Sequence, residues 1–171
     1  VQLKTISGFA NYRIGTMLNV NGSVGRTQVT SPVAGLQDIT GAVWSLGAGY
    51  AGPRIGANLS TARSVNGGGG QAANLAISRT FNASATYRVN DSMGIAAGYS
   101  HADQNFRTSP LVPETNVISR FKNDRVFIGA DYRMGRLLAF SADLNHQRRS
   151  SDPDRFSFSA TTIMLGVSAQ F

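Results

Sequence analysis

Apolar and polar residues alternate with a period of two in segment after segment of this chain, the pattern of strands whose two faces meet different surroundings. In residues 161–171, Thr161, Ile163, Leu165, Val167, Ala169 and Phe171 share one face, against Thr162, Met164, Gly166, Ser168 and Gln170. Residues 137–147 set Leu138, Phe140, Ala142 and Leu144 against Ala139, Ser141, Asp143 and Asn145. Residues 125–133 set Val126, Ile128, Ala130 and Tyr132 against Arg125, Phe127, Gly129, Asp131 and Arg133. The pattern recurs in 93–103, 75–89, 55–64 and 42–50, with Arg79 as an intruder on the apolar side, tolerable only near an interface. It is least regular in 4–14, where Phe9 opposes Ile6, Ala10, Tyr12 and Ile14. These eight segments predict eight strands of nine to fifteen residues, long enough to cross a bilayer at a tilt.

The connections alternate as well. Ala51-Gly52-Pro53, Asn90-Asp91-Ser92 and Met134-Gly135-Arg136 read as tight turns, whereas 15–40, 65–73, 106–120 and 148–155 read as longer polar loops. Short turns at one end and long loops at the other predict an antiparallel transmembrane β-barrel in which the short turns are periplasmic. An even strand count then puts both termini on the periplasmic side. Tyr50, Tyr87, Tyr132 and Phe171 end descending strands on the apolar face at one height, as a periplasmic aromatic girdle would.

Composition sharpens this reading. Charged residues make up 15% of the chain and mean hydropathy is −0.11, yet no run of about twenty apolar residues exists to form a membrane helix. Low charge without long apolar runs suits a barrel, whose lipid-facing and lumen-facing residues cancel in any average. Cysteine is absent, which excludes disulfides and thiolate metal sites. The start has no charged segment followed by an apolar one, so an exported chain would be represented here by its mature form or an excised part. The net charge of +7 comes mostly from arginines spread singly, without the clustered basic stripe of a nucleic-acid binder.

The last strand, ending in Phe171 with apolar residues at alternate positions before it, resembles the carboxy-terminal signal of bacterial outer-membrane proteins. That resemblance implies the barrel-assembly machinery as a partner during insertion. Residues 79–88 (RTFNASATYR), 124–133 (DRVFIGADYR) and 155–171 resemble the last strands of the β-barrel porin 2 type. Members of that type are usually much longer, which implies that this chain is one part of a larger barrel. The eight-strand layout itself looks like the OmpA-type membrane domain.

Candidate chemistry is sparse. Residues 47–52 (GAGYAG) spell a dinucleotide fingerprint, but Pro53 and another alternating segment follow where a helix is required. Ser100, His101 and Glu114 could be drawn into a triad, yet alternation sends Ser100 and His101 to opposite faces. His101 and His146, the two histidines, have no metal-ligand spacing. No catalytic residue, metal or cofactor is therefore expected, and the chain is read as not an enzyme. The arginines are more informative. Arg13, Arg54, Arg88, Arg125 and Arg133 have lumen parity, as do Asp131 and Asp143. In a narrow barrel they would form a filling network, and in a wider one an anion-leaning pore. Arg107, Arg120, Lys122, Arg148, Arg149 and Arg155 fall near the outer rim, where lipopolysaccharide phosphates suit arginine.

The sequence thus predicts a single domain over 1–171: an all-β, eight-stranded antiparallel transmembrane barrel in a bacterial outer membrane, with both termini periplasmic. Its expected role is that of a small structural anchor or scaffold with surface loops and a filled lumen. The alternatives are part of a larger porin or polysaccharide-export channel and, more distantly, a lipid-modifying enzyme. Expected partners are outer-membrane lipid, lipopolysaccharide and a periplasmic or envelope protein, with no nucleic acid.

Overall fold

The computed structural model describes residues 2–30, 39–67, 75–107, 120–135, 137–152 and 154–169. They form one antiparallel sheet of nine strands in sequence order. The strands are β1 (Gln2–Ile14), β2 (Leu18–Thr30), β3 (Ile39–Ala51), β4 (Ile55–Gly67), β5 (Leu75–Arg88), β6 (Met93–Arg107), β7 (Arg120–Met134), β8 (Leu138–Asp152) and β9 (Phe158–Ala169). A short 3-10 turn, Asp154–Phe156, precedes β9.

Two expectations are corrected here. Among the described residues there are nine strands where eight were predicted, because β2 lies inside the stretch read as a loop over 15–40. Its outward residues are apolar only at Leu18, Val20 and Val24, and Gly22 interrupts them, so the hydrophobic alternation is thin. The hydrogen-bonded ladder to β1 and β3 is nonetheless continuous. With an odd strand count, Gln2 pairs with Thr30 at the long-connection end and Ala169 pairs with Leu138 at the tight-turn end. The first and last described strands therefore start and finish at opposite ends of the sheet. The sheet is also open: its order runs from β1 to β9, which stand as its two edges.

The connections after β1, β3, β5 and β7 gather at one end. Gly15 and Gly135 supply the positive φ (61° and 69°) that the first and last of these need. In the third, the Asn90 side chain accepts a bond from the Ser92 amide at 2.9 Å, closing the turn locally.

Residues paired across an antiparallel ladder share a face. The row through Ile14 and Leu18 continues as Tyr50, Ala57, Ala85, Ala97, Ile128, Leu144 and Ile163. On β1 and β2 this is the last row before the turn, whereas β7 and β8 run six residues further, to Met134 and Leu138. The turn end thus steps down by about one residue per strand. At a rise of about 3.3 Å and a spacing of about 4.8 Å, that slope is a strand tilt of about 35°, inside the range of membrane barrels.

Apart from Gly129, the buried residues lie toward the long-connection end. Pairing of β3 with β4 stops at Trp44–Arg63, while β4 pairs with β5 as far as Gly67–Leu75. Where β3 and β4 part, Val65 packs with Val29, Val43 and Ile77, and the Arg63 guanidinium donates to the Ala42 carbonyl that the ladder leaves free. Elsewhere large apolar side chains lie exposed, such as Ile6 at 84% and Leu165 at 80%. A water-soluble domain would bury such residues in a core.

Candidate pore wall

The sheet has one apolar and one polar face. On the polar face small and amide residues dominate, and glycines sit beside polar side chains of the neighbouring strand. A Cβ on Gly47 would come within 2.6 Å of the Asn21 amide, one on Gly94 within 2.6 Å of the Asp131 carboxylate, and one on Gly129 within 2.5 Å of the Asp143 carboxylate. These glycines let the polar chains lie along the wall. Gly47 belongs to the fingerprint-like stretch 47–52, and the strand after it runs through a turn into β4, with no helix to hold a pyrophosphate.

The predicted lumen residues Arg13, Arg88, Arg125, Asp131, Arg133 and Asp143 all share this polar face, and Arg54 sits in the turn between β3 and β4. They divide into separate groups. Arg54, Arg88, Asp131 and Arg133 line one recess of about 350 Å³ at the tight-turn end. Arg125 instead donates from Nε to Asn145 at 2.8 Å, Asp143 lies over Gly129, and Arg13 stands on the edge strand. Among the described residues the two close ion pairs lie on the other face.

On the apolar face Tyr50, Tyr87 and Tyr132 descend by two residues for every two strands relative to the cross-strand rows, the same slope as the turns. Tyr12 on β1 lies on that line too, though the sequence reading did not place it there. Phe171 lies outside the described residues. The signal for Tyr12 was present as a repeated dipeptide: Tyr12-Arg13, Tyr87-Arg88 and Tyr132-Arg133. Each pair places an aromatic ring on the apolar face and a guanidinium on the polar one.

Toward the long connections the apolar face turns polar. Its first charged or imidazole residues are Lys4, Arg26, Arg63, Arg79, His101, Asp124 and His146. The row through Trp44 and Arg63 passes two residues inside Arg26 on β2 but, at Ser150, four residues outside His146 on β8. This border therefore slopes by about one residue per strand as well.

Asp124, which the sequence reading did not select, accepts from the Tyr99 hydroxyl at 2.6 Å and sits 2.7 Å from His101 Nδ1. Asp103, also missed, takes a two-point contact from Arg120 at 3.0 and 2.6 Å. Ser100 and His101 lie on opposite faces, and Glu114 lies outside the described residues. His146 Nδ1 is 2.8 Å from the Thr161 hydroxyl. Of the predicted outer-rim cations, Arg120, Lys122 and Arg148 share the apolar face's polar border. Arg149 is on the polar face, its guanidinium 4.9 Å from the Phe121 ring and 5.2 Å from that of Phe158. Arg155 stacks on Phe156 at 4.9 Å in the 3-10 turn, and the side chain of Arg107 lies outside the described residues.

The sequence over residues 57–171 matches the family model described as "Putative beta-barrel porin 2". The chain belongs to this family. No curated protein matches it in sequence. Among solved structures, this porin-2 chain is similar to OmpT, an outer membrane protein of Vibrio cholerae. A loop L8 deletion mutant of OmpT matches with a TM-score of 0.59 at 12% identity over 98% of this chain and 54% of that one. Outer-membrane-expressed OmpT matches with 0.56 at 13% over 99% and 57%. The in-vitro folded trimer form matches with 0.54 at 13% over 98% and 55%. The porin-2 chain thus spans a little over half the length of the structures it matches. Family and fold together make it a β-barrel protein of the bacterial outer membrane. The same matches correct a further expectation. The reading of the chain as not an enzyme is withdrawn, since the structures it resembles are those of OmpT and the likeness extends to fold alone.

Proposed function

We propose that this chain is part of the wall of a wide outer-membrane pore that admits polar solutes. The observation that carries the proposal is the open nine-stranded sheet itself. Its polar face is paved with glycines over which Asn and Asp side chains lie flat. An eight-stranded anchor with a filled lumen requires a closed sheet and side chains that project and interlock. The described strands form an open sheet, which favours the pore over the anchor.

The free edges of β1 and β9 are paired, in this reading, by strands outside these nine. Nine strands in a chain covering 54–57% of the matched structures scale to about sixteen, a porin-sized count. A sixteen-stranded sheet at about 4.8 Å spacing and 35° tilt closes at about 30 Å across, wide enough to hold water. The tight turns would then be periplasmic, with Tyr12, Tyr50, Tyr87 and Tyr132 at that interface. The border from Lys4 to His146 would mark the outer interface, where Lys122 and Arg148 meet lipopolysaccharide phosphates.

The test is conductance. The full-length protein, shown to be folded by a heat-dependent gel shift, is added to a planar bilayer. Stepwise openings are expected, together with swelling of protein-loaded liposomes in an isosmotic pentose. Folded protein that gives neither would overturn the pore reading.

A further inference from the structure

We infer that the tight-turn mouth of the pore carries a ring of arginines that favours the passage of anions. The inference rests on the pore reading. Arg13 nears the end of β1, Arg54 sits in the turn after β3, Arg88 ends β5 and Arg133 nears the end of β7. Each of the four hairpins that close through a tight turn thus contributes arginine at this end, with Arg13, Arg88 and Arg133 on the polar face. Arg13, Arg88 and Arg133 each follow a girdle tyrosine directly, so they share its one-residue-per-strand slope and stand at one height.

The backbone locks neighbours of the ring together. The Arg88 amide donates to the Arg54 carbonyl at 2.7 Å, across the gap between two hairpins. The Arg133 amide donates to the Ser92 carbonyl at 2.7 Å, tying the next hairpin to the one before it. Arg54, Arg88 and Arg133 consequently surround the recess of about 350 Å³, whose floor includes Gly56, Gly94 and Ala96. Small residues there leave the guanidinium groups room to turn toward the lumen. Two acids, Asp91 and Asp131, also line the recess. Asp131 lies over Gly94, and among the described residues neither acid is within ion-pair distance of these arginines. The recess is net positive, and arginine holds its charge across the whole physiological range.

The charge count of the polar face agrees. Its strands carry Arg13, Arg88, Arg125, Arg133 and Arg149 against Asp131 and Asp143. Asp143 lies inward of the mouth, and at the mouth itself Arg13, Arg54, Arg88 and Arg133 outnumber Asp91 and Asp131. In a water-filled lumen, an anion passing within about 7 Å of one guanidinium is enriched by about threefold. Across a pore about 30 Å wide that effect reaches only the layer near the wall and weakens as salt shortens the screening length from about 10 Å to about 3 Å. The selectivity is therefore modest and dependent on ionic strength.

The experiment measures reversal potentials in planar bilayers under a potassium chloride gradient around 0.1 M. The wild type is expected to prefer chloride over potassium by about threefold, and to lose most of that preference near 1 M salt. The triple variant R54Q/R88Q/R133Q is expected to conduct with a ratio near unity, while Arg79→Gln on the opposite face keeps the wild-type ratio. Should the triple variant give no openings, Arg54→Gln alone, confined to a turn, must lower the ratio. Wild-type channels without anion preference, or variants that retain it, would overturn the arginine ring and leave the pore intact. Absence of any conductance from folded wild type would overturn the pore reading instead, and the ring with it.

Discussion

The assignment of the two faces can be tested with a single arginine moved by one residue. Ala83 on β5 lies on the apolar face between Leu59 and Tyr99, and Ser84 faces the other way between Asn58 and Gly98. On the same strand, Arg79 marks the polar border and Tyr87 the aromatic line, with Ala83 four residues from each. At about 3.3 Å per residue and a tilt of about 35°, Ala83 lies about 11 Å below either border. The full span from Arg79 to Tyr87 is then about 22 Å, close to the apolar band of about 25 Å in outer-membrane barrels.

Ala83→Arg therefore places a guanidinium near the bilayer midplane, at a cost of about 2–4 kcal/mol. That corresponds to about 30- to 900-fold in the folding equilibrium. Ser84→Arg puts the same group in a watery lumen and should cost close to nothing. Tyr87→Arg, at the border, should cost about 0–1 kcal/mol. Reversible urea unfolding in phospholipid vesicles can be followed through Trp44, the single tryptophan of the chain. Equal losses at 83 and 84, or a stable Ala83→Arg, would refute the assignment of faces and the depth scale built on it.

The chain has no cysteine, so single cysteines can map both faces directly. In vesicles, Asn58→Cys, Asn82→Cys and Ser84→Cys should react with a water-soluble maleimide, while Leu59→Cys and Ala83→Cys should not. Gly15→Ala and Gly135→Ala force a side chain into positive φ and should each lower stability by about 1 kcal/mol in the same urea assay. Gly94→Leu should push the Asp131 side chain off the wall and lower single-channel conductance, with the gel shift retained. Asp124→Asn removes one charge from a half-exposed cluster with His101 and Tyr99, so the loss should stay under about 1 kcal/mol.

Alternation made most of the sheet legible because it reports which side of a strand touches lipid. Eight of the nine strands were found that way, as was the placement of Arg88, Asp131 and Arg133 on one face. The same dependence explains what was missed. Beyond the polar border both faces are hydrophilic, so the alternation stops while the ladder goes on. Residues 148–152, which read as loop, pair as regular strand with 120–124. In β2 Gly22 thins the apolar side, and Gly25 lies on the polar one. A Cβ at Gly25 would collide with the β1 backbone at Ile6 and Ser7, so that glycine is there for close strand approach and says nothing about a turn. The partners of His101 and Arg120 were out of reach for a different reason. They depend on cross-strand register, and β6 and β7 are joined through residues whose length gives no register.

Tilt connects the two faces. The turn ends, the tyrosine line and the polar border were each read from different residues, and all three slope by about one residue per strand. A flat sheet in water has no reason to keep three such lines parallel. A membrane does, because both of its interfaces are planes, and strands tilted at about 35° cross each plane one residue later than their neighbour. The arginines that follow Tyr12, Tyr87 and Tyr132 inherit that geometry on the other face. Alternation alone then turns a row of rings at the lipid interface into a row of positive charges at the mouth. Anchoring in the bilayer and selection in the lumen are, on this account, set by the same dipeptide. Replacing Tyr132 by a smaller residue that let β7 shift in depth should alter selectivity as well as stability, although its ring never faces the lumen. In reversal-potential measurements, Tyr132→Ala should reduce the chloride preference measurably while Tyr132→Trp keeps it. An unchanged ratio in Tyr132→Ala would uncouple the two faces.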